Sequence, residues 1–340
     1  MAISHARSSS KIPTPLLKAW HQYRIQLPAA VAKTKVQPLP FDASVRRYFR
    51  VTGRGLILTW DPLLKKSDRQ LVIYKILKEQ HLPVPAIYLA HAAKGVLIQA
   101  DVGQDTLLPV VALAKNQWPW LKQALQILSR FHQIDLRPYR KIRYLQERFD
   151  EAKLMMEVDF TLKYFGQHFL QASSRELKAL RASWQKLCRT LAQGPWVLVH
   201  RDFHTRNLVV QGARLTMVDY QDARLGLPQY DLASLFYDAY FAWQTKDVEK
   251  GLNYYWKISP QVRRLFKNNK KMFQQKLQMM AAQRLFKALG TFAYQMIHHK
   301  NPRYLKYIGH TMANLRQVLA TQKSWQKLGQ QVCQLYYPRS

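Results

Sequence analysis

Carboxylates are scarce in this chain. Against 53 lysines and arginines stand 20 aspartates and glutamates, a formal net charge of +33 over 340 residues. None precedes Asp42 and none follows Glu249, so both ends carry charge of one sign. Such a field concentrates anions, whether nucleotides, nucleic acid or an anionic membrane surface, and by itself selects none of them. Cysteine is nearly absent: Cys188 and Cys333 cannot build a disulfide framework and have no metal-ligand spacing, which suits two buried thiols in a reducing cytoplasm. No uninterrupted apolar run approaches the length of a membrane span, and 48% of the residues are hydrophobic, so a soluble globular protein is expected. Residues 1–14 lack the apolar core of a secretory signal and read as a flexible basic tail. No internal repeat or low-complexity tract appears, and the length is that of two domains or two lobes of one.

Within this acid-poor chain Asp202, Asp219, Asp222, Asp231 and Asp238 cluster in one stretch, placed as a metal would need them. Trp196 to Val199 is a short apolar run suited to a buried strand. Leu208 to Val210 and Leu215 to Val218 are two more, joined by a turn at Gln211 to Arg214, so His200 to Asn207 is a polar loop between strands. Kinase-type phosphoryl transfer needs a carboxylate to orient the acceptor hydroxyl and take its proton, and oxygen ligands for Mg²⁺ on the nucleotide phosphates. In the kinase pattern the catalytic Asp precedes a metal-binding Asn by five residues, and a second metal-binding Asp follows the next hairpin. Asp202, Asn207 and Asp219 fit those positions. Mg²⁺ takes few protein ligands, so one amide oxygen and one carboxylate suffice. His200 and His204 are four apart, a zinc spacing only on a helix; here His200 is expected to fix the loop and His204 to line the acceptor side.

The run His200-Arg201-Asp202-Phe203-His204 through Asn207, then Asp219 to Ala223, Gly226 and Tyr230-Asp231-Leu232, resembles the aminoglycoside phosphotransferase and choline kinase-like family. Within it the chain looks most like the bacterial kinases that phosphorylate the anomeric hydroxyl of N-acetylmuramate and N-acetylglucosamine in cell-wall recycling. Asp42 to Arg50 is similar to their N-terminal signature, and Gln283 to Gly290 with Phe292-Ala293 and Tyr304-Leu305 to their C-terminal helices. The resemblance implies an α+β, two-lobed protein-kinase-like fold: a small antiparallel sheet and helix over residues 15–103, then a larger helical lobe, 104–340, holding the catalytic hairpins. It implies ATP and Mg²⁺ as cofactors and a small-molecule sugar as partner. An aminoglycoside, choline or another alcohol is the alternative acceptor, and a catalytically weak protein binding nucleic acid or membrane through its basic surface is the other alternative.

The loop before the first hairpin is expected over the nucleotide phosphates, with Ser44, Arg46 and Arg47 as contacts. It is not glycine-rich, and the strand Leu56 to Trp60 lacks the lysine of the general kinase pattern, leaving Lys65, Lys66 or a hairpin arginine to replace it. The helix from about Ser67 to Gln80 has Gln70 near the place of the usual glutamate. Ala86 to Ala90 and Gly95 to Ala100 read as further strands of a five-stranded sheet. Helices are expected over 117–133, 143–165, 176–192 and 232–243, and repeatedly from 266 to 335. The acids of the second read mostly as a solvated face. The resemblance makes Asp231 a buried structural anchor. Arg206, Asp222 and His204 flank the place for an acceptor, and Arg206 is the residue suited to an anionic substituent such as a lactyl carboxylate. Tyr237 and Tyr240 read as core aromatics in preference to a sugar-stacking pair.

Overall fold

The structure is a computed structural model that describes residues 12–24, 35–39, 46–65 and 68–337. Ser44 and Lys66 lie outside the described residues, as do the loop 42–45 and most of the basic tail. The chain divides into two compact units: the described residues up to Gln104 with Val209–Gln221, and Asp105–Leu208 with Asp222 onward.

The first unit begins with α1 (Thr14–Arg24), then β1 (Val36–Pro38), β2 (Arg47–Val51), β3 (Leu56–Trp60), α2 (Arg69–Glu79), β4 (Ile87–His91) and β5 (Val96–Ala100). The strands form one antiparallel sheet in the order β1-β2-β3-β5-β4. Side chains alternate across a strand, so β5 sends Val96 and Ile98 to one face and Leu97 to the other. Val96 and Ile98 pack with Phe49, Val51, Leu56 and Leu58 against Leu16, Ala19 and Trp20 of α1, while Leu97 meets Leu71 of α2. The same alternation separates Arg47 from its neighbours. Its guanidinium lies 5.4 Å from the centre of the Trp60 ring.

The second unit carries α3 (Leu107–Leu113), α4 (Trp118–His132), α5 (Glu151–Thr161), α6 (Ser174–Leu191) and β6 (Val197–Val199). Next come β7 (Leu208–Gln211) and β8 (Arg214–Met217), a separate hairpin that groups almost entirely with the first unit although the larger lobe was expected to hold it. Then follow β9 (Arg224–Gly226), α7 (Gln229–Phe236), α8 (Thr245–Ile258), α9 (Pro260–Leu265), α10 (Lys270–His298), α11 (Leu305–Ala320) and α12 (Gln326–Tyr336). Ser173 and Glu176 cap α6 reciprocally, satisfying backbone donors that the first turn leaves open.

Two expected helices are shorter than their patterns. The segment expected as one helix from 143 is instead a short turn followed by extended chain, because Phe149 donates its N–H to Leu225 and Leu225 donates to Glu147, lengthening the β9 edge. Only at Asp150, whose carboxylate accepts from the Lys153 N–H, does α5 start, and it runs on as a π-helical segment at Leu162–Phe169. The helix expected to reach Trp243 stops at Phe236, beyond which the Asp238 carboxylate takes the N–H of Tyr240 and ties this segment to Thr205. Cys188 is buried, but Cys333 is only partly so.

Helix α10 packs against α5, α6, α7 and α11. Its crossing with α5 is closest at Gly290, where an added Cβ would stand 2.4 Å from Thr161 Oγ1 and 2.7 Å from Thr161 Cα. Thr161 Oγ1 is within hydrogen-bond reach of the Phe286 carbonyl across that crossing, at 3.2 Å. One turn earlier on each helix stand Lys287 and Glu157, 3.4 Å apart. Gly290 therefore sets how near the two charges come. Gly290→Ala gains about 1 kcal/mol of helix propensity but forces backbone against backbone, so a net loss of about 1–3 kcal/mol is expected. Urea denaturation checks it.

Candidate active site

The loop after β6 is held by one carboxylate. Asp231 Oδ2 accepts the His200 N–H at 2.7 Å and Oδ1 accepts the Arg201 N–H at 2.8 Å. Arg201 has a positive φ of 86°, a strained value for a residue with a side chain, and these bonds help hold it. His132 Nε2 lies 3.1 Å from Asp231, and its Nδ1 lies 2.6 Å from the Tyr255 hydroxyl. With the Nε2 proton given to the carboxylate, Nδ1 accepts from Tyr255, so α4, α7 and α8 are tied to one group. His132, His200 and Asp231 are each fully buried. Further along, Thr205 gives its N–H and hydroxyl to Asp238 at 3.0 and 2.6 Å. Asn207 closes the turn by donating its side-chain N–H to the Asp202 carbonyl at 2.9 Å.

These bonds revise the reading of the acid cluster as metal-directed. Asp231 and Asp238 are spent on backbone donors, and Asp222 accepts from Arg201 Nη1 at 2.9 Å. Among the described residues no three His, Cys, Asp or Glu side chains gather as a metal cluster.

Asp202 lies at the edge of a cavity of about 300 Å³, with its side chain 30% exposed. Three cations surround the carboxylate: Arg284 at 3.7 Å, Lys287 at 3.8 Å and Arg201 at 3.9 Å. Burial alone would favour its neutral form, but Lys287, Arg284 and Arg201 outweigh it and hold the carboxyl well below the usual carboxylate range. Lys287 also faces Glu157, which accepts from Gln283 at 3.0 Å and from the Tyr230 hydroxyl at 3.3 Å. Glu157 is thus no member of a solvated face: burial opposes its charge, and Lys287 and Gln283 overcome it, leaving its carboxyl lowered. Other acids of that segment match the expectation, with Asp159 on Arg181 and Glu151 on Arg189 at the surface.

His204 lines the cavity, and burial depresses its imidazole despite the nearby Asp238 and Asp202. Tyr237 and Tyr240, read from sequence as core, line the cavity too. Arg206 and Asp222 do not: Arg206 is exposed, its guanidinium 4.7 Å over the Tyr240 ring, and Asp222 is held by Arg201. Arg284 and Lys287 were missed as site residues. Their segment carried the resemblance, but nothing in a lysine three residues after an arginine on a helix shows which way either points.

In the first unit, Asp219 lies in the left-handed region, with φ 64°. It lines a cavity of about 260 Å³ together with Arg46, Tyr48, Gln70 and Gln99. Arg46 is braced by Asp61, its Nε 2.7 Å from Oδ2. Gln70 faces the same cavity as Asp219, and Arg47 does not line it. Asn207 in the second unit and Asp219 in the first each carry a hard oxygen donor, of the kind that suits Mg²⁺ and not a thiophilic metal.

Removing the Asp231 carboxylate strands the buried donors it now accepts from. Asp231→Ala is expected to cost at least about 3 kcal/mol, read by urea denaturation, and Asp231→Asn less because one acceptor oxygen remains.

The phosphotransferase enzyme family model matches residues 35–266. The N-acetylmuramate/N-acetylglucosamine kinase of Pseudomonas putida is 28% identical over 302 residues, covering 86% of each chain. Among solved structures, the ADP-bound aminoglycoside phosphotransferase APH(2'')-Ib superposes with a TM-score of 0.59 at 14% identity, over 94% of this chain and 98% of the other. An ethanolamine kinase of Plasmodium vivax does so at 0.61 and 14% identity, over 96% and 94%. These likenesses carry the kinase-like fold, a small antiparallel sheet followed by a mostly helical remainder. With the family model spanning well over half of its residues, the chain belongs to the phosphotransferase enzyme family.

Proposed function

We propose that this protein transfers the γ-phosphoryl group of ATP, with Mg²⁺, to the anomeric hydroxyl of an N-acetylated amino sugar, N-acetylmuramate or N-acetylglucosamine. The observation that carries the reading is Asp202, ionised and partly exposed at a sugar-sized cavity, five residues before an Asn207 that is bonded to its backbone. The name and coverage of the Pseudomonas putida relative support the choice of sugar.

Asp202 orients the acceptor hydroxyl and takes its proton. A carboxylate held this far below its ordinary pKa is a weak base, yet the loose transition state of phosphoryl transfer asks little proton abstraction before the bond to phosphorus forms. An anomeric hydroxyl is also more acidic than an ordinary alcohol. Its acidity compensates for the weak base. Tyr237 and Tyr240 give the cavity an aromatic lining for the sugar, and His204 offers a hydrogen-bonding group. On the nucleotide side, Arg46 takes the place of the missing strand lysine, its guanidinium braced by Asp61 as a kinase lysine is braced by its glutamate. Asn207 and Asp219 would hold Mg²⁺, which when bound neutralises phosphate charge. The buried thiol of Cys188 suits a cytoplasmic enzyme.

Asp202→Asn is expected to lower kcat by about 10²- to 10⁴-fold while ADP binding, measured by calorimetry, stays close to wild type. Full turnover in this variant removes the mechanism. The pH dependence follows from the same residue. The working form of Asp202 is the carboxylate, present above its lowered pKa and lost only in strong acid. No limb due to Asp202 is therefore expected in kcat/KM between about pH 5 and 8, and a limb there that Asp202 accounts for contradicts the charge environment described.

A further inference from the structure

The cations around Asp202 are not equally matched. Lys287 is shared between Glu157 at 3.4 Å and Asp202 at 3.8 Å. Arg201 keeps one guanidinium arm on Asp222 at 2.9 Å. Arg284 reaches a carboxylate only through Nη2, which lies 3.7 Å from Asp202, longer than a hydrogen bond. Its guanidinium carbon lies 4.5 Å from the centre of the buried Tyr230 ring and the group is also hydrogen-bonded to the Tyr230 side chain, while its Nε and Nη1 are buried. The side chain is 12% exposed, and what it exposes lines the cavity that Asp202 edges. With Nε and Nη1 buried, what Arg284 can offer an anion in the cavity is the end that Asp202 holds only at 3.7 Å, and a planar guanidinium is the side chain best shaped to receive a carboxylate.

Sequence reasoning gave that task to Arg206. In the structure Arg206 is exposed, lies over Tyr240 and does not line the cavity. We propose that Arg284 is the residue that receives the carboxylate of an acidic amino sugar, so that the cavity favours an acceptor bearing a negative charge on the same ring as the hydroxyl that Asp202 activates. This rests on the sugar-kinase reading above and deepens it. N-acetylmuramate differs from N-acetylglucosamine by a lactyl ether whose carboxylate belongs to the same ring as the anomeric hydroxyl. One sugar then engages Asp202 and Arg284 together. Leu285, Ala288 and Phe292 give the same cavity an apolar wall, against which the lactyl methyl packs.

The test compares N-acetylmuramate, its uncharged methyl ester and N-acetylglucosamine in the wild type, Arg284→Gln and Arg284→Lys, following kcat and KM separately. The wild type is expected to prefer the acid over its ester by about 10- to 100-fold in kcat/KM, the worth of a charge-assisted hydrogen bond. In Arg284→Gln that preference falls towards one, mainly through KM for the acid, and Arg284→Lys retains part of it. An acid preference that survives in Arg284→Gln overturns the proposal. So does an equal loss of kcat with all three sugars, which makes Arg284 a support for Asp202 or for the transferred phosphoryl group. The wild-type comparison needs no variant to fold: turnover of acid and ester at equal kcat/KM removes the proposal alone, whereas turnover of no sugar removes the sugar-kinase reading and this proposal with it.

Discussion

Two backbone N–H groups converging on one buried carboxylate fix the loop that carries Asp202. His200 and Arg201 both donate to Asp231, and without that acceptor a non-glycine residue at φ 86° would relax toward an ordinary conformation. Asp202 follows directly, so its position is set by an anchor on α7, and the anchor in turn is oriented by His132 of α4 and, through it, Tyr255 of α8. Three helices and a strand end thereby meet at a group that is fully buried and does not line the cavity. The loop is irregular, yet it is among the most constrained parts of its unit.

A second constraint is electrostatic. Buried charges are tolerable when each meets its opposite, and the second unit arranges Glu157, Lys287, Asp202, Arg201 and Asp222 as an alternating series with Arg284 beside Asp202. The arrangement keeps Asp202 ionised in a place where burial would otherwise neutralise it. It depends on packing as much as on charge, since the glycine at 290 is what lets α10 approach α5 closely enough for Lys287 to sit between two carboxylates.

The excess of positive charge takes on a partial meaning in this light. Most lysines and arginines coat the surface, and the sequence leaves open which anion they attract. Arg201, Arg284 and Lys287 are drawn inward around the cavity that Asp202 edges. Among the described residues no helix is long and apolar enough to cross a membrane.

Much of this was legible in the sequence. The spacing of Asp202, Asn207 and Asp219 around short apolar runs is local information, since a loop between strands announces itself by alternation and turn residues. The sheet strands were legible for the same reason, with β2 through β5 falling within a residue or two of their runs and β1 too short to stand out. Charge composition, cysteine scarcity and family membership are likewise properties of the chain as written. What tertiary structure alone decided is which long side chains meet. The partner of Asp231 lies 30 residues away in Arg201 and 99 away in His132, and Glu157 finds Gln283 across 126. Arg284 and Arg206 are chemically the same residue, and only packing puts one against the cavity and leaves the other over Tyr240 at the surface. Glu157 reads as one more acid on a helix until α10 covers it. Sequence determines the chemistry each residue can perform; the fold decides which residues are brought out of water and close enough to perform it, because the electrostatic and hydrogen-bond energies involved act only at contact distance and strengthen with burial.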